Sequence, residues 1–116
     1  MIATILMQPR SGMTTAACAL AKGLGAILVI PQAADVEWLR LCRQDLIGDL
    51  QVINARDMAS VITAVNSDVP LVFDDAPRCN DVWRQLGEGE LRVYLETVRK
   101  GRGVSICRDY FFQYSI

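Results

Sequence analysis

The residues with the clearest potential for chemistry follow the first apolar run of the chain. Residues 7–15 read MQPRSGMTT and lie between a β-rich run over 2–7 and an alanine-rich helix predicted over 13–24. Backbone N–H groups at a helix N-terminus lack partners, and the helix dipole favours an anion there. Gly12 permits a close backbone approach, and Thr14 supplies a hydroxyl. These residue types predict a turn that holds phosphate. The alternative is an ordinary strand–turn–helix in which Ser11 and Gly12 only start the helix.

A second candidate lies at the end of another apolar run, where residues 69–73 (VPLVF) lead into Asp74 and Asp75. Adjacent carboxylates repel each other, and without a cation or solvent they are costly to place together. The pair is therefore a candidate for a functional acid at a strand end, although two aspartates before a turn are also common.

The elements between these segments must bring them together. Apolar strands alternate with helices: strands are predicted over 2–7, 26–30, 50–54, 69–73 and 104–107, and helices over 13–24, 35–44, 56–65 and 81–100, the last in two pieces around residues 87–89. Such alternation predicts a parallel sheet covered on both faces. We expect one α/β domain over residues 1–116, with α/β/α layers around a mostly parallel five-stranded sheet. Ligands of such sheets bind beyond the carboxyl ends of the strands.

Both segments match parts of known phosphate-binding motifs. Against the signature G-x-x-x-x-G-K-[ST], residues 7–14 keep the second glycine as Gly12 and the hydroxyl as Thr14. They carry Met7 and Met13 where the signature has glycine and lysine. With the acid-ended strand over 69–74, the chain resembles P-loop NTPases with a degenerate Walker A loop and a Walker B strand. The pattern is closest to that of DNA-packaging and translocase-type ATPases.

The resemblance implies an ATP site with Mg²⁺ and assigns roles to individual residues. Thr14 and Asp74 would associate with the metal, and Asp75 stands where many family members carry a catalytic glutamate that orients water. Strand 1 would be central, with the Asp-bearing strand near it. Met13 cannot neutralise phosphate charge, and loss of such a charge-assisted contact costs about 1.5–3 kcal/mol in binding. The phosphates would be held by Arg10, Ser11, Gly12, Met13, Thr14 and Thr15.

A basic segment ends the last predicted helix, where Arg99, Lys100 and Arg102 surround Gly101. One interpretation is that this segment is an ordinary helix C-terminus, because cations are favourable there and glycine suits the cap. The other is contact with phosphate, either of a neighbouring subunit's nucleotide or of a nucleic-acid backbone.

Composition limits the class of protein. Apolar residues make up 52% of the chain, charged residues 22%, and the net charge is −1, which is typical of a globular domain and not of a strongly basic nucleic-acid module. No apolar run reaches about 18 residues, and no signal-peptide pattern is present, so we expect a cytoplasmic protein without a membrane segment. Four cysteines without a CxxC pair or a histidine predict buried free thiols and not a zinc site.

Functions of two classes fit these observations. The first is a P-loop domain that binds ATP and hydrolyses it weakly or not at all, as an accessory of a phage or mobile element in DNA packaging or transfer. Such a domain would work as a homo-oligomer or with a protein partner. The second is a non-catalytic interaction or regulatory protein on a lapsed P-loop scaffold, with Met13 filling the phosphate pocket. A third alternative is an active ATPase whose lysine was changed to Met13 by engineering.

Overall fold

The computed structural model describes residues 3–7, 12–87 and 103–108, the first and last of these ranges by their backbone alone. Five helices and five strands alternate along them, with α3 directly after α2. The elements are β1 (Ala3–Met7), α1 (Met13–Leu24), β2 (Ile27–Ile30), α2 (Ala33–Cys42), α3 (Gln44–Ile47), β3 (Val52–Asn54), α4 (Met58–Asn66), β4 (Leu71–Phe73), α5 (Ala76–Leu86) and β5 (Gly103–Arg108).

The described strands pair in parallel throughout. β2 lies between β3 and β4, with Leu28 opposite Val52 on one side and Val72 on the other. Beyond β4, β5 pairs with β4 and β1 pairs with β5, so that the strand order is β1-β5-β4-β2-β3. Because all four residues of β2 are buried, this strand is covered on both faces, as a parallel strand between two helical layers should be.

The prediction of a five-stranded sheet built around strand 1 is wrong. The sheet on which the described core is built is the three-stranded parallel sheet β4-β2-β3, with five helices around it. β1 lies at the margin, separated from β4 by β5. Every predicted strand is an apolar run of similar length, and nothing in such a pattern specifies which strand takes the centre.

Two hydrophobic clusters lie on opposite faces of this sheet, because alternate residues of a strand point to opposite sides. Leu28, Ile30 and Val72 pack with α1, α2 and α3. Val29 and Phe73 pack with α4 and α5. The sheet therefore separates two helical layers, and the α/β class predicted from the alternating elements is observed.

Trp83 of α5 anchors the second cluster. Its side chain is fully buried, and its indole Nε1 donates a hydrogen bond of 2.9 Å to the carbonyl oxygen of Ala55. Its ring meets that of Phe73 edge to face, with centroids 5.9 Å apart. This contact fixes α5 against β4 directly behind the aspartate pair.

Several helix positions differ from the predictions. The helix predicted over 35–44 is α2 followed by the short α3, and α5 begins at Ala76 instead of residue 81 and ends at Leu86. Residues 88–102, which include the remainder of the predicted fourth helix, lie outside the described residues. None of the helices in the described ranges is long and apolar enough to cross a membrane.

Three side chains of α2 are exposed although residues of their types are often buried. Trp38 and Leu41 are 51% and 80% exposed, although both are apolar. Cys42 is exposed too, which corrects the prediction that the thiols are buried, whereas Cys18 and Cys79 are buried as predicted. On an amphipathic helix only one stripe faces the core, and in α2 that stripe is carried by other apolar residues.

Candidate functional site

The turn before α1 and the turn after β4 meet at the carboxyl edge of the sheet. The hydroxyl Oγ1 of Thr14 donates a hydrogen bond of 2.8 Å to Oδ2 of Asp74, which is 60 positions away in the sequence. Carboxyl ends of parallel strands share one edge of a sheet, so the proximity of the two turns was predictable from the order of elements. The structure confirms that proximity.

Gly12 gives the start of α1 its shape. Its backbone has φ 86° and ψ 35°, the left-handed region that favours glycine. Among the described residues, no side chain caps the first turn of α1, and that turn contains no acidic residue. The space around Gly12 is open, since a Cβ built there would meet no described heavy atom within 4 Å. An uncapped helix start of this kind can accept an anion.

Asp74 is held rigidly where β4 ends. Its N–H donates to the carbonyl oxygen of Val29 at 2.9 Å, and the carbonyl oxygen of Asp74 accepts from the thiol of Cys79 at 3.5 Å. The residue is 5% exposed. Its Oδ2 accepts from Thr14, whereas its Oδ1 is buried and has no hydrogen-bond partner in the part of the chain that the structure describes. A buried polar atom of this kind is a place for a ligand or an ion.

The surroundings of Asp74 disfavour its charged form. The pKa of this carboxyl is raised from 3.8 to about 6, and burial is the largest cause of the rise. The negative charges of Asp75 and Asp35 contribute to this rise, while the Thr14 hydrogen bond and the positive charge of Arg78 oppose it. The net effect is a carboxyl group that a nearby cation would stabilise strongly in its ionised form.

Asp75 occupies an unusual backbone position directly before α5. Its φ is 52° and its ψ is 62°, so it is in the left-handed region, where aspartate is tolerated better than most residues. Its carbonyl oxygen accepts from the N–H groups of Arg78 and Cys79, at 2.9 and 3.2 Å. Its carboxylate Oδ2 lies 3.9 Å from Nε of Arg78. Backbone strain of this sort clusters at functional sites.

Arg78 belongs to the site and was missed by the sequence analysis. Its side chain is 41% exposed and faces the 7% exposed carboxylate of Asp75. The signal that could have found it is the spacing, because an arginine three residues after an aspartate reaches back to it once both are on one helical turn. The sequence analysis predicted that this helix starts at residue 81. It therefore placed both residues before the helix, where a spacing of three does not bring them together.

The other residues predicted to contact phosphate differ in burial, and some of them lie outside the described residues. Met13 is half-buried and packs against the hydrophobic cluster of α1, α2 and α3, and Thr15 is exposed. Arg10 and Ser11 lie outside the described residues, as do the basic residues Arg99, Lys100 and Arg102.

Whether the site can hold a metal ion depends on how many ligands the protein itself must supply. Among the described residues no three histidine, cysteine or acidic side chains cluster closely enough to hold a metal ion. Mg²⁺ rarely needs such a cage, because it is usually bound by one or two carboxylates together with phosphate oxygens of a substrate. Thr14 and Asp74 offer the hard oxygen atoms that this mode requires, and the unpartnered Oδ1 of Asp74 fits a hydrated cation.

Comparison with known proteins adds no further information on the site. No family model matches the sequence, and no curated protein or solved structure matches it significantly. A fold of this type carries many functions, so the function must be argued from the site itself. The similarity to P-loop NTPases stays a prediction based on residues 7–15 and 69–75.

Proposed function

We propose that this chain is a degenerate P-loop domain that binds ATP with Mg²⁺ and hydrolyses it weakly or not at all. The observation that carries the proposal is the 2.8 Å hydrogen bond between Thr14 and Asp74. It joins a hydroxyl at an uncapped helix start to a buried acid at a strand end. Phosphate at the helix start and a cation beside the acid would then be neighbours.

Thr14 can serve both groups at once. A threonine hydroxyl has one proton and two lone pairs, so it can donate to Asp74 and still offer a lone pair to a cation. The backbone N–H groups after Gly12 would face the phosphates. Thr14 and Asp74 would hold bound Mg²⁺, which would supply positive charge that Met13 does not supply.

Weak hydrolysis follows from two features of the site. Met13 packs against the core cluster and carries no charge, so the phosphate contact that a lysine makes is lost. Asp75, the candidate for orienting water, is drawn toward Arg78 by a 3.9 Å ion pair. Both features weaken stabilisation of charge that develops in a transition state.

The decisive experiment is calorimetric titration of the full chain with ATP and with ADP, with and without Mg²⁺. We expect Mg²⁺-dependent binding of ATP, together with a rise in melting temperature, because a ligand that binds the native state stabilises it. Met13→Lys should tighten ATP binding by about tenfold or more, which corresponds to one regained charge-assisted contact.

A pair of threonine variants tests the geometry. Thr14→Val removes the hydroxyl that contacts Asp74 and should abolish the Mg²⁺-dependent part of binding. Thr15→Val is the matched control, because Thr15 is the next residue and exposed. Equal binding of Mg·ATP by both variants would contradict the proposal.

The second candidate function is a non-catalytic interaction or regulatory protein. The observation that favours it is the position of Met13, whose side chain belongs to the periphery of the hydrophobic cluster. Absence of a melting-temperature shift at millimolar Mg·ATP, unchanged by Met13→Lys, would support this candidate over the first. Strong hydrolysis restored by Met13→Lys would instead support an ATPase whose lysine was replaced.

Involvement in DNA packaging or transfer, as a homo-oligomer or with a partner, is part of the same proposal and rests on the resemblance. Its test is DNA binding by the triple variant of Arg99, Lys100 and Arg102 to glutamine. Binding that the variant weakens, with a reduced dependence on salt, would support a contact to the nucleic-acid backbone. The same affinity in wild type and variant would exclude this segment as the contact.

A further inference from the structure

A groove separate from Thr14 and Asp74 opens at the same carboxyl edge of the sheet. Its walls come from residues 31–34 after β2, from Arg56 after β3, and from Arg78, Asp81 and Gln85 of α5. Its volume is about 460 Å³. Small-molecule sites in proteins occupy roughly 300–1,000 Å³, so the groove can hold more than a single ion.

The topology explains why a groove forms there. After β2 the chain passes to α2 on one face of the sheet. After β3 and β4, which flank β2, it passes to α4 and α5 on the opposite face. Neighbouring connections that leave in opposite directions open a crevice at the strand ends, and open α/β sheets bind their ligands in such crevices.

The charges in this groove favour an anion. Arg56 and Arg78 reach it from two different elements, and Asp81 is the acid in its lining. Nη2 of Arg56 donates a 3.3 Å hydrogen bond to Oε1 of Gln85, which holds the guanidinium beside α5, the helix that carries Arg78. A guanidinium has five N–H donors in a planar fork that matches phosphate oxygens in pairs. Two such groups in the lining of one groove offer donors to a single phosphate.

We propose that this groove binds the phosphate group of a small phosphate monoester, with Arg56 and Arg78 as its ligands. The site is distinct from the proposed nucleotide site, because its lining includes neither Thr14 nor Asp74. It lies next to that site, since Arg78 also pairs with Asp75 at 3.9 Å. The proposal goes beyond the nucleotide site and stands even if ATP does not bind.

The test is a titration of the ¹⁵N-labelled full chain, free of nucleotide and in EDTA, followed by amide chemical shifts. The probes are glycerol phosphate, inorganic phosphate and glycerol. We expect glycerol phosphate to shift the amides of residues 33, 34 and 56 with saturation, inorganic phosphate to bind there more weakly, and glycerol to have no effect. Arg56→Gln and Arg78→Gln should each weaken binding by about tenfold, as for one lost charge-assisted contact.

Two further variants control for general charge. Arg84→Gln changes the charge of α5 equally but lies outside the groove lining, so its affinity should stay within about twofold of wild type. Asp81→Asn removes a negative charge from the groove and should tighten binding. Loss of affinity in Arg84→Gln equal to that in Arg56→Gln would overturn the site.

Two outcomes separate this proposal from the proposed function. Shifts confined to residues 12–15 and unaffected by Arg56→Gln would overturn the groove as a phosphate site while leaving ATP binding intact. Saturable binding in the groove by a chain that fails to bind Mg·ATP would support the groove and remove the nucleotide assignment. Equal affinity for inorganic phosphate and glycerol phosphate would overturn the assignment of a monoester.

Discussion

The buried carboxyl of Asp74 makes stability depend on pH in a direction opposite to that of most salt-bridged acids. Its pKa is raised in the folded protein from 3.8 to about 6, chiefly by burial. Between these two values the folded state holds a proton that the unfolded state has released, so the free energy of unfolding falls as pH rises. This contribution is fully present below about pH 4 and is lost as pH rises through about 6.

The size of the effect follows from the same values. At about 1.4 kcal/mol for each pKa unit, the change from 3.8 to about 6 corresponds to about 3 kcal/mol. Asp74→Asn keeps an oxygen that can accept from Thr14 but cannot ionise. Relative to wild type, the variant should therefore gain stability from about pH 4 to about pH 6 and level off above that, with a total gain of up to about 3 kcal/mol.

The assay is urea denaturation of both proteins in EDTA at half-unit pH steps, followed by tryptophan fluorescence, which changes when the buried Trp83 becomes exposed. Asp49→Asn, which removes an exposed acid from the chain segment before β3, is the matched control and should run parallel to wild type. Parallel curves for wild type and Asp74→Asn would refute the reasoning. Millimolar Mg²⁺ with ATP should reduce the difference at pH 7.5, because a cation beside the carboxylate favours its charged form.

Three further predictions follow from packing and backbone geometry. Trp83→Phe leaves a buried carbonyl oxygen without its donor and should lower the free energy of unfolding by about 2–3 kcal/mol, as measured by chemical denaturation. Trp38→Phe, at a 51% exposed position, should lower it by less than about 0.5 kcal/mol. Gly12→Ala forces alanine to φ 86° and should destabilise the folded protein by about 1 kcal/mol. Gly23→Ala within α1 should instead stabilise it by about 0.5–1 kcal/mol. A higher melting temperature for Gly12→Ala than for Gly23→Ala would contradict this prediction. Cys42 is the exposed thiol among the described residues, so peptide mapping after brief alkylation of the native protein should find it modified before the buried cysteines.

The parts of the fold that the sequence predicts correctly are those set by local rules. α1 spans Met13–Leu24, as predicted, because alanine and leucine favour the helix and because Gly12 and Gly25 at its ends adopt left-handed conformations. The meeting of Thr14 with Asp74 was predictable for a similar reason. Parallel strands place their carboxyl ends together whatever their order in the sheet.

The parts that the sequence does not predict depend on tertiary context. α5 starts at Ala76, with a proline in its first turn, where proline is favourable although it commonly signals a break. Asp75, directly before α5, adopts a left-handed conformation that the sequence pattern does not predict. Because the helix start was placed too late, the pairing of Arg78 with this aspartate was not foreseen. The strand order was not predictable either, because all the strands are short apolar runs.

The energetics of the aspartate pair favour a liganded function over a lapsed scaffold. Asp74 is buried with its Oδ1 unpartnered among the described residues, and the pKa of its carboxyl is raised to about 6. Asp75 beside it adopts a backbone conformation that costs of order 1–3 kcal/mol. These costs coincide at one edge of the sheet, directly opposite the hydroxyl of Thr14. A protein that only displayed its surface to a partner would be more stable with an uncharged residue at position 74, whereas a protein that binds a cation and phosphate there recovers the cost on binding.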